Sequence, residues 1–505
     1  MKIHALLSFI IGTVILTACN SEAVVPADAS PTQEALSLYP AYTELTIPSN
    51  VAPLNFKVMN DGEDYVAQIK GKGGEIVVAA DAQGKVQYDT LAWHNLLEAS
   101  AGTPLTLTVY THRDGKWLAH PATTYQVAEP IDRYLSYRLI EPSYELYRQL
   151  GIYQRDLTTF EQRPIYENNR SYDSINNHCI NCHNYQGYDT HRMLFHVRAR
   201  HGGTIFVQDG KARKLNMKSD SVLSSTVYPT WHPQRNWVVF STNQTGQAFR
   251  ISDNEKIEVM DYGSDLVFFD ADACTLTNIF KTDDHLETFP CWTPDGRKIF
   301  YCSAYVPFFK DLPKAKREDK ILEVCDSLHY NLRSITFDER TRTFSEPVLE
   351  MDCEAIGLSA SVPRVSPDGR YVLFTLGRNG QFHIWHKTSD LYVKDLQTGE
   401  IYPLEATNSP DVDSYHTWSS NGRWMVFSSR RDDGSYTRPY IAYFGADGQG
   451  RKAFILPQED PDHNKMLLKS YNVPELTRTA VTISPDELKA VIYDDDNVQR
   501  VTYKP

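Results

Sequence analysis

The chain reads as all-β: an N-terminal β-sandwich-like domain followed by a six-bladed β-propeller. Two observations predict this. From Thr43 to Val127, short alternating strands are divided by turns such as Asn60-Asp61-Gly62 and Lys72-Gly73-Gly74. From about Met193 onward, a strand–turn–strand plan recurs five times. Between the two lies Cys179-Ile180-Asn181-Cys182-His183, the most specific chemical signal in the sequence.

Taken in order, Met1 and Lys2 precede an apolar run from Ala5 to Leu16 that is too short to span a bilayer. Leu16-Thr17-Ala18-Cys19 follows and reads as a lipobox. Residues 1–18 are therefore expected to be a lipoprotein signal peptide, and Cys19 the lipidated residue of the mature protein. Residues 19–40 are a polar tether containing Pro26, Asp28 and Pro31. The expected location is the cell envelope, lipid-anchored to the outer membrane on its periplasmic side or at the cell surface. The formal net charge is −13, and losing residues 1–18, whose only charge is Lys2, makes it −14. An acidic chain with no basic block excludes nucleic acid as a partner.

Residues 41–129 hold the sandwich strands: Thr43–Ile47, Leu54–Val58, Tyr65–Ile69, Glu75–Val78, Leu105–Thr111 and Thr124–Val127, with a short helix from Trp93 to Ala99. No Cys…Trp…Cys pattern accompanies them, so the likeness to an immunoglobulin domain stops at architecture. Residues 130–178 change character. Tyrosines 134, 137, 144, 147, 153, 166 and 172 alternate with Arg138, Arg148, Arg155, Arg163 and Arg170. This reads as a linker with one helix from Ser143, a suitable N-cap, to Leu150. Such a linker packs over a neighbouring domain, or roofs a cofactor edge with its tyrosines while its arginines pair with carboxylates.

Cys179, Cys182 and His183 spell C-x-x-C-H, the attachment signature of a c-type haem. Two thiols three residues apart can each add to one vinyl group of a porphyrin, and the following imidazole is then placed to ligate the iron. His183 would be the proximal ligand of a covalent haem c, with Met193 or His196 as the distal one; His191 and His201 are further candidates. A Met ligand would raise the potential and a His ligand lower it. The alternatives for the pair are a structural disulfide, half a zinc site or a redox dithiol. No second C-x-x-C follows, and the motif lies in Asn- and Tyr-rich sequence rather than between a strand and a helix. Of the other cysteines, Cys291 and Cys302 flank one predicted hairpin and could pair; Cys274, Cys325 and Cys353 read as small buried hydrophobes.

Residues 179–505 form the propeller, opened by this motif. The repeats centre on His232-Pro233-Gln234-Arg235, Thr293-Pro294-Asp295-Gly296, Ser366-Pro367-Asp368-Gly369, Ser419-Ser420-Asn421-Gly422 and Ser484-Pro485-Asp486-Glu487. Pro fixes φ at the first turn position, Asp caps the turn, and Gly or Asn accepts the positive φ. From Pro233 to Pro294, Pro367, Ser420 and Pro485 the spacings are 61, 73, 53 and 65 residues, suited to four-stranded blades with insertions. Met193–Val197, Thr204–Val207 and Ala212–Leu215 supply an earlier blade, making six. Arg500–Tyr503 is expected to close the ring by joining another blade.

These hairpins resemble the PD40 (WD40-like) repeats of TolB-type periplasmic β-propellers. The layout also resembles a group of bacterial lipoproteins described as TolB-like or cytochrome c biosynthesis proteins, through the C-x-x-C-H stretch, Met193-Leu194-Phe195-His196-Val197-Arg198 and Gly202-Gly203-Thr204-Ile205. The resemblance implies the propeller fold over about Met193 to Pro505. It departs from TolB at the N-terminus, where TolB carries an α/β domain, so TolB's partners do not transfer.

No G-x-S-x-G nucleophile elbow is present, Gly357-Leu358-Ser359-Ala360-Ser361 failing at its last position, and no hydrolase domain follows the propeller. Asp494-Asp495-Asp496 lacks the glycine and glutamate of a calcium loop. The expectation is a non-enzymatic, membrane-tethered mono-haem protein that transfers electrons to, or senses redox state with, an envelope partner. The alternative is a TolB-like binding scaffold in envelope assembly or surface-polymer handling, with Cys179–Cys182 as a disulfide.

Overall fold

Strand pairing organises nearly all of this chain, which a computed structural model describes over residues 23–141, 149–170, 178–250 and 257–505. The signal peptide, Cys19 and most of the expected helix Ser143–Leu150 lie outside the described residues.

The N-terminal strands fall close to where the alternation places them. Leu45–Pro48, Asp64–Gly71, Gly74–Ala79, Pro104–Arg113, Lys116–Ala119 and Thr123–Ala128 join with Ser30–Pro31 in a seven-stranded sheet. Leu38–Tyr39, Phe56–Val58 and Lys85–Val86 make a separate three-stranded one. Helix Thr90–Ala99 begins at Asp89, whose carboxylate accepts from the Ala92 amide, and buries Trp93, Leu96 and Leu97.

Six antiparallel sheets follow, named I to VI here in ring order. Sheet II comprises His178–Gln186, Asp189–Ala199, Gly203–Gln208 and Lys211–Asn216. Sheet III has Thr226–Trp231, Trp237–Phe249, Ile257–Asp270 and Thr275–Asn278; sheet IV has His285–Trp292, Lys298–Tyr305 and Asn331–Asp338, followed by two short edge strands. Sheet V has Ser359–Val365, Tyr371–Gly377, Asp390–Asp395 and Ile401–Pro403; sheet VI has Asp413–Trp418, Trp424–Ser429, Arg438–Tyr443 and Phe454–Ile455. The first strand of each touches the first strand of the next, so these strands line a central channel. Radial four-stranded sheets around a channel are a β-propeller.

Ring closure differs from expectation. The stretch read as a Tyr/Arg linker instead supplies Tyr134–Ile140, Gly151–Asp156 and Gln162–Glu167, the outer three strands of sheet I. Its channel strand is Ser470–Thr477, from the other end of the chain, which pairs with Tyr134–Ile140 and touches the channel strands of both sheets VI and II. Gln499–Arg500 and Thr502–Tyr503 only add parallel edges to sheets II and III. Most of the tyrosines and arginines of the supposed linker are thus sheet residues.

The fifth repeat is also corrected. Ser484-Pro485-Asp486-Glu487 opens a helix, Pro485–Tyr493, through a reciprocal capping box between Ser484 and Glu487 with Pro at the first helical position. Glu487 stands where a hairpin would want Gly, which decides the outcome. The turns at Gly296, Gly369 and Gly422 have φ of 70°, 73° and 65°, and each repeats one hydrogen-bond set. The third-residue side chain accepts from Thr293, Ser366 or Ser419 at 2.5–2.6 Å and from the amide of the following Arg at 3.0–3.1 Å.

Neighbouring turns stack. A Cβ on Gly296 would collide with the His232 imidazole of sheet III, whereas one on Gly399 (φ 80°) would meet nothing within 4 Å. Gly296→Ala should therefore destabilise by about 1–3 kcal/mol, and more than Gly399→Ala, which carries only backbone strain. Urea denaturation of both variants checks this; equal losses would remove the stacking contribution.

The N-terminal sheets share one hydrophobic core with sheet VI, including Trp93, Tyr125, Trp418, Trp424 and Phe454. Polar contacts seal the join: Tyr42 Oη to Ile455 O at 3.1 Å, Trp424 Nε1 to Glu129 O at 2.9 Å, and Ser420 Oγ to the Asp132 carboxylate at 2.5 Å.

Candidate functional site

Every channel strand carries a two-for-one β-bulge at the same level. The bulged pairs are Val473-Pro474, Cys182-His183, Tyr228-Pro229, Phe289-Pro290, Val362-Pro363 and Tyr415-His416, in sheets I to VI. In each pair the first residue has φ between 45° and 54°. The single residue opposite each pair is aromatic: Tyr137, Phe195, Phe240, Tyr301, Phe374 or Phe427. Left-handed backbone is unfavourable for a non-glycine residue and most of all for valine. Packing on the axis offsets that cost: Phe289, Val362, Tyr415 and Ile384 cluster with Tyr228, Phe382, Trp385 and Val473. The Tyr228 and Phe289 rings lie 4.3 Å apart, and Phe289 reaches Tyr415, two sheets away, at 6.4 Å.

The C-x-x-C-H motif is sheet II's version of this bulge. Cys179 pairs with Arg198 and Asn181 with His196, after which Cys182 and His183 leave the ladder until Asn184 resumes it opposite Leu194. Cys179, Cys182 and His183 all line one cavity of about 620 Å³ at the channel mouth. Both thiols are free. Cys179 is buried, Cys182 half-buried, and His183 buried with neither ring nitrogen hydrogen-bonded in good geometry. Burial, aided by the Arg138 guanidinium, pushes the His183 imidazole down to about 4, although backbone groups of Ser136 and Val473 favour its proton. His183 is therefore neutral at physiological pH, with a lone pair available.

Around the motif the walls divide by chemistry. Phe382, Ile384 and Trp385, from the segment after the second strand of sheet V, and Tyr228 and Tyr415 make an apolar side. Arg138, Arg198 and Arg430 supply charge, and Asn243 and Thr245 come from the long ribbon of sheet III. On the ribbon's other strand Asp261 accepts from Asn243 at 2.6 Å, Thr245 at 2.7 Å and Gln381 at 3.1 Å, and burial raises its carboxyl to about 7.

The candidate distal ligands lie elsewhere. Met193 and His196 sit three apart on a strand and so face opposite sides of sheet II. Met193 packs among Ile152, Tyr166 and Val207 between sheets I and II. His196 bonds Thr204 through Nδ1 at 2.9 Å and packs against Phe240 at 5.7 Å, toward sheet III. Neither lines the cavity, nor do His191, which pairs with Asp189, or His201, which pairs with Asp495. Cys291 and Cys302 are unbonded; the bulge sets Cys291 opposite Phe300 while Cys302 faces Thr288. No cluster of three or more His, Cys, Asp or Glu suited to a metal ion occurs among the described residues.

Sequence reasoning missed the bulge ring, although its signal was present: a residue then Pro or His, one strand before each apolar strand. It also missed Arg430 and Trp385, which no local pattern marks.

No family model matches this chain, and no curated protein does. Among solved structures, TolB from Acinetobacter baumannii is similar with 12% identity and a TM-score of 0.39, covering 74% of this chain and 78% of that one. Oligogalacturonate lyase from Vibrio parahaemolyticus is similar with 11% identity and a TM-score of 0.33, covering 62% and 92%. The β-propeller domain of the trilobed protease from Pyrococcus furiosus has 12% identity and a TM-score of 0.33, covering 71% and 95%. At these values the comparisons add nothing to the propeller architecture that the strand pairing already establishes.

Proposed function

We propose that this protein is a membrane-tethered envelope lipoprotein holding one covalent haem c in the mouth of a six-bladed propeller, acting in electron transfer or redox sensing. In this reading the six sheets are the six blades, the two N-terminal sheets form the sandwich, and Cys19 carries the lipid. One observation carries it: two free thiols and a buried imidazole with no well-formed hydrogen bond line the same cavity. A buried imidazole whose only polar neighbours are poorly aligned backbone groups of Ser136 and Val473 is under-satisfied, and its lone pair is open to a metal. The residues present thus fit the group: Cys179 and Cys182 would hold it covalently, and His183 would face its iron. When bound, haem supplies one-electron chemistry. The protein's part is to keep His183 neutral by burial and to shield one face with Tyr228, Tyr415 and Trp385. No Met, and no His besides His183, lines the cavity among the described residues, so the distal position is not assigned to Met193 or His196.

A second reading has its own observation. Cys182-His183 occupies the bulge that holds Tyr415-His416 in sheet VI and X-Pro in the others, so the fold alone accounts for its place. The protein would then be a TolB-like binding scaffold, with Cys179–Cys182 closing as a disulfide in an oxidising compartment.

A pyridine haemochrome spectrum on protein from a host with cytochrome c maturation separates them. A c-type α-band that survives acid-acetone extraction is expected, and Cys182→Ser should weaken its retention. A colourless protein would leave the scaffold reading.

A further inference from the structure

We infer that the channel-mouth cavity is a carboxylate-binding site, with Arg138, Arg198 and Arg430 as its cationic wall and Trp385, Tyr228 and Tyr415 as a flat apolar wall. The charge balance points to it. In a chain of net charge −13, the described residues that line this cavity include three arginines and one acidic residue, Glu141, which already faces Lys469 at 3.7 Å. None of the three arginines has a carboxylate within ion-pairing distance among the described residues, and the Nε atoms of Arg138 and Arg430 are buried without a hydrogen bond.

Arg430 shows the imbalance best. Its guanidinium stacks on Trp385 at 3.9 Å, and burial lowers it to about 10. The carboxylates that partly support it are engaged elsewhere, Asp411 with Lys387 at 3.6 Å and Asp433 with Arg438 at 3.7 Å. A desolvated guanidinium without a carboxylate is costly, and a bidentate carboxylate is its best partner. The arginines stand on separate sheets, Arg138 on I, Arg198 on II and at the end of the second strand of VI Arg430, so they approach a ligand from different directions.

The ligand class is a flat, largely apolar molecule bearing carboxylates. Two sources share that chemistry: the propionates of a porphyrin attached at Cys179 and Cys182, or a free organic acid. The clamp itself does not require the haem.

The test titrates colourless protein, made without maturation machinery, with fluorescent pyrene-1-butyrate and with its neutral amide. The carboxylate should bind about tenfold or more tighter than the amide, and Arg430→Gln and Arg198→Ala should each cut that preference by about tenfold. Arg198 is exposed, so its variant keeps the test valid should Arg430→Gln fail to fold. Equal affinity for acid and amide, no binding of either, or a preference unmoved by Arg198→Ala would overturn the inference. A second titration on haem-loaded protein distinguishes the sources: exclusion of pyrene-1-butyrate assigns the arginines to the propionates, and retained binding assigns them to a free acid. A colourless haemochrome sample sinks the haem reading alone and leaves the first titration intact.

Discussion

Protein ending at Lys469 should fail to fold. It lacks Ser470–Thr477, so sheet I loses its channel strand and the ring loses the contact between sheets VI and II. It also lacks helix Pro485–Tyr493, whose Leu488 and Ile492 pack with Ile152, Phe195 and Val207. The exposed edge of Tyr134–Ile140 would offer unpaired backbone groups to other chains, so aggregation is the expected phenotype. A graded version is Leu476→Ala. Leu476 is fully buried in the core shared with Tyr137 and the N-terminal sheets, and its truncation should cost about 2–5 kcal/mol. Chemical denaturation followed by tryptophan fluorescence measures both. A shortened protein that unfolds cooperatively at the full-length midpoint would refute this closure.

The second large effect is on pH. Burial raises Glu475 and Glu287 to about 8 and Asp261 to about 7, and no ion pair within 4 Å compensates any of them among the described residues. These native values exceed the unfolded ones, so the folded protein holds protons that the unfolded chain has released, and stability is lost as pH rises through them. Buried histidines act in the opposite sense. His183 is lowered to about 4, and His196, His383 and His416 to about 3, so the unfolded chain gains protons as pH falls below 6.5 while the native one resists. The two sets oppose each other below pH 6.5; above it the carboxyls act unopposed, and buried thiols such as Cys291 and Cys353, also raised by burial, add to the same trend. The melting temperature should peak near about pH 6 and fall toward pH 8.5. Glu475→Gln can still accept from Asn184 Nδ2, now at 2.9 Å from the carboxylate. It should gain on the order of 1–3 kcal/mol at pH 8.5 and little at pH 5.5. A melting temperature that is flat or rising from pH 6.5 to 8.5 would contradict these assignments.

How much was legible beforehand varies with the range of the interaction. The Pro-Asp-Gly turns follow from the turn residues themselves, and their geometry is repeated almost atom for atom at Gly296, Gly369 and Gly422. The N-terminal strands follow from period-two alternation. Ser484-Pro485-Asp486-Glu487 shows the limit of a local pattern. Its first three residues suit a turn and a helix start equally, and the outcome rests on Glu487 and on burial of Leu488 and Ile492.

The candidate site divides the same way. Cys179, Cys182 and His183 are close in sequence, so their grouping was legible. Met193 is only ten positions beyond His183, yet strand pairing turns its side chain into the core between sheets I and II. Arg430 and Trp385 reach the cavity from sheet VI and the segment after sheet V's second strand, with no sequence proximity to the motif.

By itself, then, the sequence determined the all-β character, the N-terminal strands, the turns at Gly296, Gly369 and Gly422, and the identity of the thiol–imidazole motif, because these depend on dihedral preferences and periodicity within a few residues. Only the tertiary structure decided that residues 134–167 are sheet rather than linker, that Ser470–Thr477 closes the ring, and that Cys182-His183 is one of six equivalent bulges. Gln154 and Thr477 are 323 positions apart and share a hydrogen bond. Strand pairing over such a distance is chosen by which edges remain open once the other sheets have formed, and no local preference encodes that choice.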